Sequence, residues 1–358
     1  MLLSLFVKPV NKFSFFSCVW DVVFYLLVLG VGLLYSENLR FGLGVLETNF
    51  SFLALSIILY KVEDFGEKKL HQLFQAFALG LVFSSFICIV NATFAYVNHN
   101  DSRFFFFYHL TSVLDFQPTY FAYYLIFVIT FELYLLYFHH VLNSKLILAM
   151  LLYLFIILML TGGLTSFISI LLVLSFFILK FLTDEKTQIR YQTFTVVIVM
   201  IAGMFLFSYI YEKMDDTSAK ITDQWERVEL WESAIKANPN IWLGVGTGDY
   251  KKELNQYYID HQMSGYAREG YNAHNQFLQI LFSNGMIGLV TVLILLIRPL
   301  YLSVRNQNVL GALTFFPFLI YGMTEVFLGR FQGVVFFALL CQGFIVFYAN
   351  NRPKQNIL

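Results

Sequence analysis

The sequence predicts an all-α fold, a polytopic membrane helical bundle of about ten transmembrane helices with one large helical external loop. Three observations predict it. Of 358 residues, 58% are hydrophobic and only 13% charged, 42 are Phe, and the mean hydropathy is +0.68. A soluble domain carries about 25% charged residues, and surface-to-volume scaling leaves more apolar surface here than one water-facing core can hide. The apolar residues also gather in runs of membrane-spanning length, and one stretch, roughly 212–274, breaks away into polar and charged composition. A soluble enzyme, a nucleic-acid binder and a disordered chain are thereby excluded. The net charge of zero is uninformative, because what matters in a membrane is where each charge sits.

A helix needs about 20 mostly apolar residues to cross the hydrocarbon core. On that ruler the spans fall at 14–35, 42–60, 73–95, 118–138, 145–161, 164–182, 192–211, 275–297, 308–328 and 332–349. The first follows Lys8 and Lys12, as in a signal peptide. It is too long for one, lacks an A-x-A cleavage site and leads straight into more spans, so it is read as a true span. Aromatic residues, 19% of the chain, suit lipid-facing and interfacial positions.

Basic residues prefer cytoplasmic loops and set the orientation. With the N-terminus inside, the inner segments hold thirteen: Lys8, Lys12, Lys61, Lys68, Lys69, Lys145, Lys180, Lys186, Arg190, Arg298, Arg305, Arg352 and Lys354. The short outer segments hold three, Arg40, Arg103 and Arg330. The other seven of the 23 lie in the long loop, which the rule does not cover. Both termini are therefore expected inside and the loop outside. Domains are expected at 1–211 (about seven spans), 212–274 (the loop) and 275–358 (about three spans). Cys18, Cys88 and Cys341 all fall in spans, so no disulfide framework or zinc cluster is expected. No Walker-type GxxxxGK[ST] stretch occurs, which argues against an ATP-driven pump.

The loop carries eleven acids, seven bases and three of the four Trp. Its first part, DQWERVELWESAIKANPN, reads as a helix: Asp223 and Glu226 form a capping box, and Trp225, Val228, Trp231 and Ile235 recur at helical spacing. Pro239 closes it. Such a helix would lie as an amphipathic cap on the membrane, with Arg227 and Trp231 on one face. Next comes GVGTGDY, with Gly244, Gly246 and Gly248; its spacing is not a dinucleotide fingerprint. It is either a flexible turn or a backbone that an anionic ligand approaches closely. The loop ends in AHNQFLQILFSNGMIGL, with His274 and Asn275 at the mouth of a span. His274 either caps the helix and meets headgroups or serves as a base, since an imidazole titrating near pH ~6.5 suits proton abstraction. Gly285 and Gly288 let the following helix pack closely on a neighbour.

Three motifs stand in order: R-x-x-x-W-x-x-A (Arg227, Trp231, Ala234), P-x-x-x-x-G-x-G-x-G-x-Y (Pro239 to Tyr250), and H-N-x-x-L with G-x-x-G downstream. With the span layout, they resemble the O-antigen ligase/O-antigen polymerase superfamily of bacterial membrane glycosyltransferases, the motifs covering about 160–290. The resemblance implies an inner-membrane enzyme that moves a glycan from an undecaprenyl-diphosphate carrier to a lipid or protein acceptor at the periplasmic face. It implies no metal, no nucleotide sugar and no other cofactor. Membrane lipids are implied as partners and nucleic acid is not. Arg227 would engage the diphosphate, as a guanidinium forks onto phosphate oxygens. His274 would orient or deprotonate the acceptor. Trp231, Gly246, Tyr250, Asn275, Glu325 and Arg330 are the expected substrate contacts, and no metal ligand is expected. A polymerase that extends the carrier-linked glycan is the alternative; a lipid-linked sugar transporter and an inactive scaffold are less favoured.

The pattern departs from the family at LTGGLTSFIS, where Gly163 and Leu164 replace a Ser-Arg pair and one expected cation is missing. Arg103, Lys213, Lys220 or Arg330 could substitute. PTYFAYY, from Pro118, resembles a family stretch that often follows a His, here Gln117, and is read as lining the external cavity. Glu325 is costly in lipid and is expected to pair with Arg330 or bundle polar groups, or to place Arg227 or the acceptor. Asp21, Glu47 and Glu132 are read as snorkelling or bonding between helices. The topology is checked with single cysteines at 255 and 356 and an impermeant thiol reagent. Labelling at 255 alone is expected; labelling at 356 alone contradicts the orientation.

Overall fold

The computed structural model describes residues 14–62, 64–139, 144–185, 187–214 and 218–351. It is 83% helical, with no strand among the described residues. Lys8, Lys12, Lys186, Arg352 and Lys354, and the side chains of Lys213, Lys220, Asp223 and Trp225, lie outside the description. The chain forms two compact units, Met1–Leu70 with Ser218–Leu358, and His71–Thr217.

The first unit opens with α1 (Phe15–Leu34) and α2 (Leu39–Tyr60), and α3 (Glu67–His99) leads into the second. There follow α4 (Phe107–Thr111), α5 (Pro118–Phe138), α6 (Ser144–Thr161), α7 (Leu164–Thr183) and α8 (Gln188–Met214). The first unit resumes with α9 (Ser218–Lys236), α10 (Tyr250–Asp260), α11 (Ser264–Glu269), α12 (Gln276–Arg305), α13 (Val309–Gly322) and α14 (Phe331–Asn350). Eight of these, α1, α2, α3, α5, α7, α8, α12 and α14, are long and apolar enough to cross a membrane. The apolar helices over Lys145–Thr161 and Val309–Gly322 are shorter.

Several ends differ from the sequence expectation: α3 runs over Glu67–His99 rather than 73–95, α12 continues to Arg305 rather than 297, and two further ends have identifiable causes. The loop helix begins at Ser218, ahead of the Asp223–Glu226 capping box. A capping pair marks where a helix can start, and the good helix formers before it, Ala219 and Lys220, carry the helix further back. The helix expected over 308–328 stops at Gly322. Asn308 caps its start, accepting from the Gly311 N–H at 2.8 Å. Beyond its end the chain leaves the helix, and the Leu328 N–H finds the Gln276 side-chain oxygen (2.8 Å) instead of a helical carbonyl.

In the first unit, α1 packs on α2 and α12, α2 on α14, and α12 on α13. Rings fill the seams, Phe52 edge-on to Phe337 (5.6 Å between centroids) and Phe318 tilted against Phe337 (4.7 Å). Arg298, expected in an inner segment, sits within α12 and clamps α1. Its guanidinium pairs with buried Asp21, donates to the carbonyls of Cys18 (3.0 Å) and Ser17 (2.6 Å), and lies over the Trp20 ring. In the second unit α5 is almost entirely buried among α6, α7 and α8, and Glu132 is buried within it rather than snorkelling. Glu47 is exposed on α2.

The Asp21–Arg298 pair makes a stability prediction for the first unit. Removing one partner strands a buried charge, so Asp21→Leu or Arg298→Met alone is expected to cost about 3–5 kcal/mol. The double substitution should recover most of it. Thermal unfolding in detergent checks this, and single variants as stable as wild type would contradict it.

Candidate functional site

The long loop is joined to the bundle by a splice into α12. That helix is not continuous: Gly285 takes φ 65°, ψ −162°, outside the helical region. A side chain there would strike the Trp242 carbonyl, so the position requires glycine. The break redirects the backbone groups around it to the segment 241–246. The Val245 N–H donates to the Phe282 carbonyl (2.9 Å), the Gly246 N–H to Ser283 (2.8 Å), and the Met286 N–H to Ile241 (2.8 Å). Gly244 and Gly246 both take positive φ, 70° and 104°. A Cβ on Gly244 would lie 2.6 Å from the carbonyls of Phe282 and Ser283.

The rest of the glycine motif is tied to α1 and α2. Thr247 gives its N–H to Gly32 (3.3 Å) and its hydroxyl to the Leu29 carbonyl (2.8 Å), and accepts from Asn284 Nδ2 (2.8 Å). The Gly248 N–H donates to Ser36 Oγ (2.9 Å). The Asp249 carboxylate receives the Glu37 and Asn38 N–H groups at 2.7 and 2.8 Å. The backbone is approached closely here, as one reading of GVGTGDY expects, but the approaching groups are protein. Gly246 therefore has its N–H engaged by Ser283, and the neighbouring N–H groups are engaged likewise.

Tyr250 begins α10 and meets Phe41 edge-on at 5.4 Å. Burial pushes its hydroxyl up to about 12, so it stays protonated at any working pH and can donate. With Thr247, Gln276, Gln279, Ser283 and Asn284 it lines one side of a cavity of about 30 Å³ that is otherwise apolar, walled by Leu29, Val45, Ile280 and Val326 among others. That is room for about one water molecule.

Beyond the splice the loop has its own core. Leu230 and Ala234 of α9, Leu254 and Tyr258 of α10, Ala273, and Phe282 of α12 are buried together. Tyr266 donates to Glu229 (2.8 Å) across it. This core brings α9 against the segment that carries His274. The Trp231 indole N–H points at the His274 carbonyl (3.4 Å), and the Tyr271 ring lies 5.5 Å from the imidazole. Asn272 Oδ1 accepts the His274 N–H at 2.8 Å.

Asn275, not His274, caps α12: its side-chain oxygen accepts from the N–H groups of Phe277 (2.9 Å) and Leu278 (3.1 Å). His274 itself has φ 42°, the left-handed region that a non-glycine residue enters at a cost of about 1–3 kcal/mol. That backbone leaves its imidazole facing Glu325, with Nδ1 to Oε2 at 3.8 Å. The imidazole is 24% exposed and the carboxylate 8%. Two glutamines on the first turn of α12 hold the pair's surroundings. Gln279 accepts from the Ala273 N–H (3.1 Å), and Gln276 accepts from Leu328 (2.8 Å), beyond Glu325.

Glu325 thus faces His274 and not Arg330, its neighbour in sequence. Arg330 precedes α14 with extended backbone, its side chain exposed and in no ion pair with a described residue. Arg227 lies one helical turn before Trp231, half-buried, and forms no hydrogen bond or ion pair with a described residue. The loop therefore brings Trp231, Asn275, His274 and Glu325 together, with Arg227 a turn away on α9. Gly246 and Tyr250 belong to the splice.

In the second unit Leu164 opens α7, 58% exposed, where the resemblance implies an arginine. Arg103 is already forked onto Asp101, with Nε at 3.0 and 2.9 Å from its two oxygens. Gln117 is the N-cap of α5 and Pro118 its first residue. His71 and His139 bring their rings to 5.2 Å, with nitrogens within 4.8 Å, close enough to share an ion. The sequence reading missed this pair, whose members stand on different helices.

Together these features define a multi-pass helical membrane protein whose long loop folds onto the bundle, bringing the His274 imidazole to the Glu325 carboxylate of the turn after α13 and carrying the Arg227 guanidinium, which is unpaired among the described residues. The family follows from comparison. Residues 149–293 match the model of the O-antigen ligase family, the family that the motifs resemble. An uncharacterized protein of Haemophilus influenzae is 23% identical over 128 residues, covering 32% of this chain and 32% of the relative. The chain therefore spans about a third of the length of the curated relative it matches.

Proposed function

We propose that the protein is a glycosyltransferase of the ligase type, moving a glycan from an undecaprenyl-diphosphate carrier to a hydroxyl of a lipid or protein acceptor. The loop, about 212–274, is the catalytic region between the helices of 1–211 and those of 275–358. It faces the periplasm with both termini in the cytoplasm, which the thirteen-to-three charge bias of the short segments supports. The observation that carries the reading is His274 facing Glu325, with His274 at the end of a loop that also holds Arg227, which has no partner among the described residues.

The chemistry follows from those three groups. Glu325 opposite Nδ1 favours the tautomer with a proton there, leaving Nε2 free to accept the acceptor's proton. As the O–H bond breaks, the oxygen attacks the anomeric carbon and the bond from that carbon to the phosphate oxygen breaks. Negative charge gathers on the departing carrier diphosphate, and the Arg227 guanidinium receives it through paired N–H bonds. Arg330, exposed and in no ion pair with a described residue, is the second cation for the diphosphate in place of the arginine absent at Leu164. Trp231 and Asn275 hold the His274 segment, and Gly246 and Tyr250 act beneath it. Guanidinium charge does here what a divalent ion does elsewhere, so the transfer is metal-independent.

Purified protein with a lipid-linked glycan donor, and free carrier diphosphate as readout, tests the proposal. His274→Ala is expected to slow turnover about 10²–10⁴-fold, the usual range for acid–base help, with little change in donor binding. Arg227→Ala should lose transfer while still inserting, Arg227→Lys should rescue it poorly because one ammonium cannot fork onto phosphate, and chelation should change nothing. Release supported by the carrier-linked glycan as sole acceptor would assign a polymerase instead. Wild-type turnover in both His274→Ala and Arg227→Ala would remove this site from the reaction.

A further inference from the structure

We infer that the turn Ile241–Leu243 is inserted into the membrane and that its partner is the hydrocarbon of the bilayer. The inference is independent of the glycan-transfer reading and rests on depth, exposure and backbone satisfaction.

Depth comes from what the turn is bonded to. Ile241 is bonded to Met286 of α12, about 15 Å along the helix from Gln276 at 1.5 Å per residue, and Val245 and Gly246, just past the turn, to Phe282 and Ser283. On the α1 side the Tyr35 hydroxyl donates to the Leu243 carbonyl at 2.6 Å, and Thr247, four residues past the turn, is bonded to Leu29 and Gly32, short of that helix's end at Leu34. Both are helices of membrane-crossing length and composition. The turn therefore runs beside spanning helices, below their ends.

Exposure makes the position meaningful. Ile241, Trp242 and Leu243 are 51%, 66% and 49% exposed, three large apolar side chains in succession with no protein over them. In water such a patch is a liability. Ile287 and Val290, just past the anchor Met286, and Leu34 of α1 are exposed as well, so the patch continues the apolar outer face of two spanning helices. Trp and Tyr at that level suit the boundary between hydrocarbon and headgroups.

Backbone satisfaction is the independent mark of membrane depth, where an irregular segment is tolerated only if its polar groups are paired within the protein. Asn240 Oδ1 accepts the N–H groups of Trp242 (3.0 Å) and Leu243 (3.3 Å), and its carbonyl accepts that of Gly244 (2.7 Å). The N–H groups from Val245 to Gly248 are used in the splice, and Asp249 donates to Gly246 (3.3 Å). An exposed loop in water needs none of this, because solvent pairs with its backbone. The break at Gly285 supplies acceptors inside the span for two of these donors.

The test is Trp emission from the full-length protein in liposomes, comparing wild type with Trp242→Phe. The emission lost in the variant is that of Trp242. It is expected to be blue-shifted, quenched by lipids with brominated acyl chains and untouched by aqueous iodide. Quenching by iodide and not by brominated lipid would put the turn in water and overturn the inference. A Trp242→Cys variant gives the second reading. It is expected to stay monomeric under oxidation in the membrane, and a disulfide-linked dimer would seat a second copy on the patch and overturn the inference too.

Discussion

The break in α12 at Gly285 is the constraint on which the loop depends. A continuous helix would keep the carbonyls of Phe282 and Ser283 and the N–H of Met286 within its own ladder. Opened at one glycine, it offers two acceptors and one donor inside a spanning segment, and the strand-like run 241–246 takes them. The rest of the glycine motif is then drawn against Leu29, Gly32 and Ser36 of the α1 end, and Asp249 fixes the start of α2. Glycine is required at both faces of this contact, because carbonyls stand where a side chain would be.

From that anchor the site is assembled by ordinary packing. The splice sets where α10 begins, α10 and α9 bury Leu254, Tyr258, Leu230 and Ala234 together, and the same core holds Ala273 beside His274. Asn275 satisfies the first turn of α12, which releases His274 from any capping role. Gln276 and Gln279 then tie the Leu328 turn and the Ala273 segment to one helical turn, so Glu325 and His274 arrive from opposite sides of the same anchor.

The spans were legible because the bilayer imposes its own length on every apolar run: eight of the ten predicted segments fall on helices long and apolar enough to cross, while 145–161 and 308–328 fall on shorter ones, the latter ending at Gly322. The loop's motifs were legible as a set, and residues 149–293 match the family they suggested. What could not be read is long-range pairing. For Glu325 the sequence leaves open Arg330, polar groups of the bundle, and a role in placing Arg227 or the acceptor, whereas the turn after α13 aims it at His274. GVGTGDY announced a special backbone without saying whether a ligand or the protein itself comes close to it. The signal that was available is the pair Gln276 and Gln279: two amides opening an apolar helix must be held by something, and here they hold the site.

Hydrogen exchange resolved on peptides covering 241–249 and 282–288 tests the splice most directly, in wild type and in Gly285→Ala. Loops at a membrane surface exchange quickly, while paired backbone opens only through local unfolding. The account expects slow exchange of Val245, Gly246 and Met286 in the wild type, and fast exchange in Gly285→Ala with α2 and α14 still protected. Fast exchange at these amides in the wild type, or slow exchange undisturbed by Gly285→Ala, would contradict it.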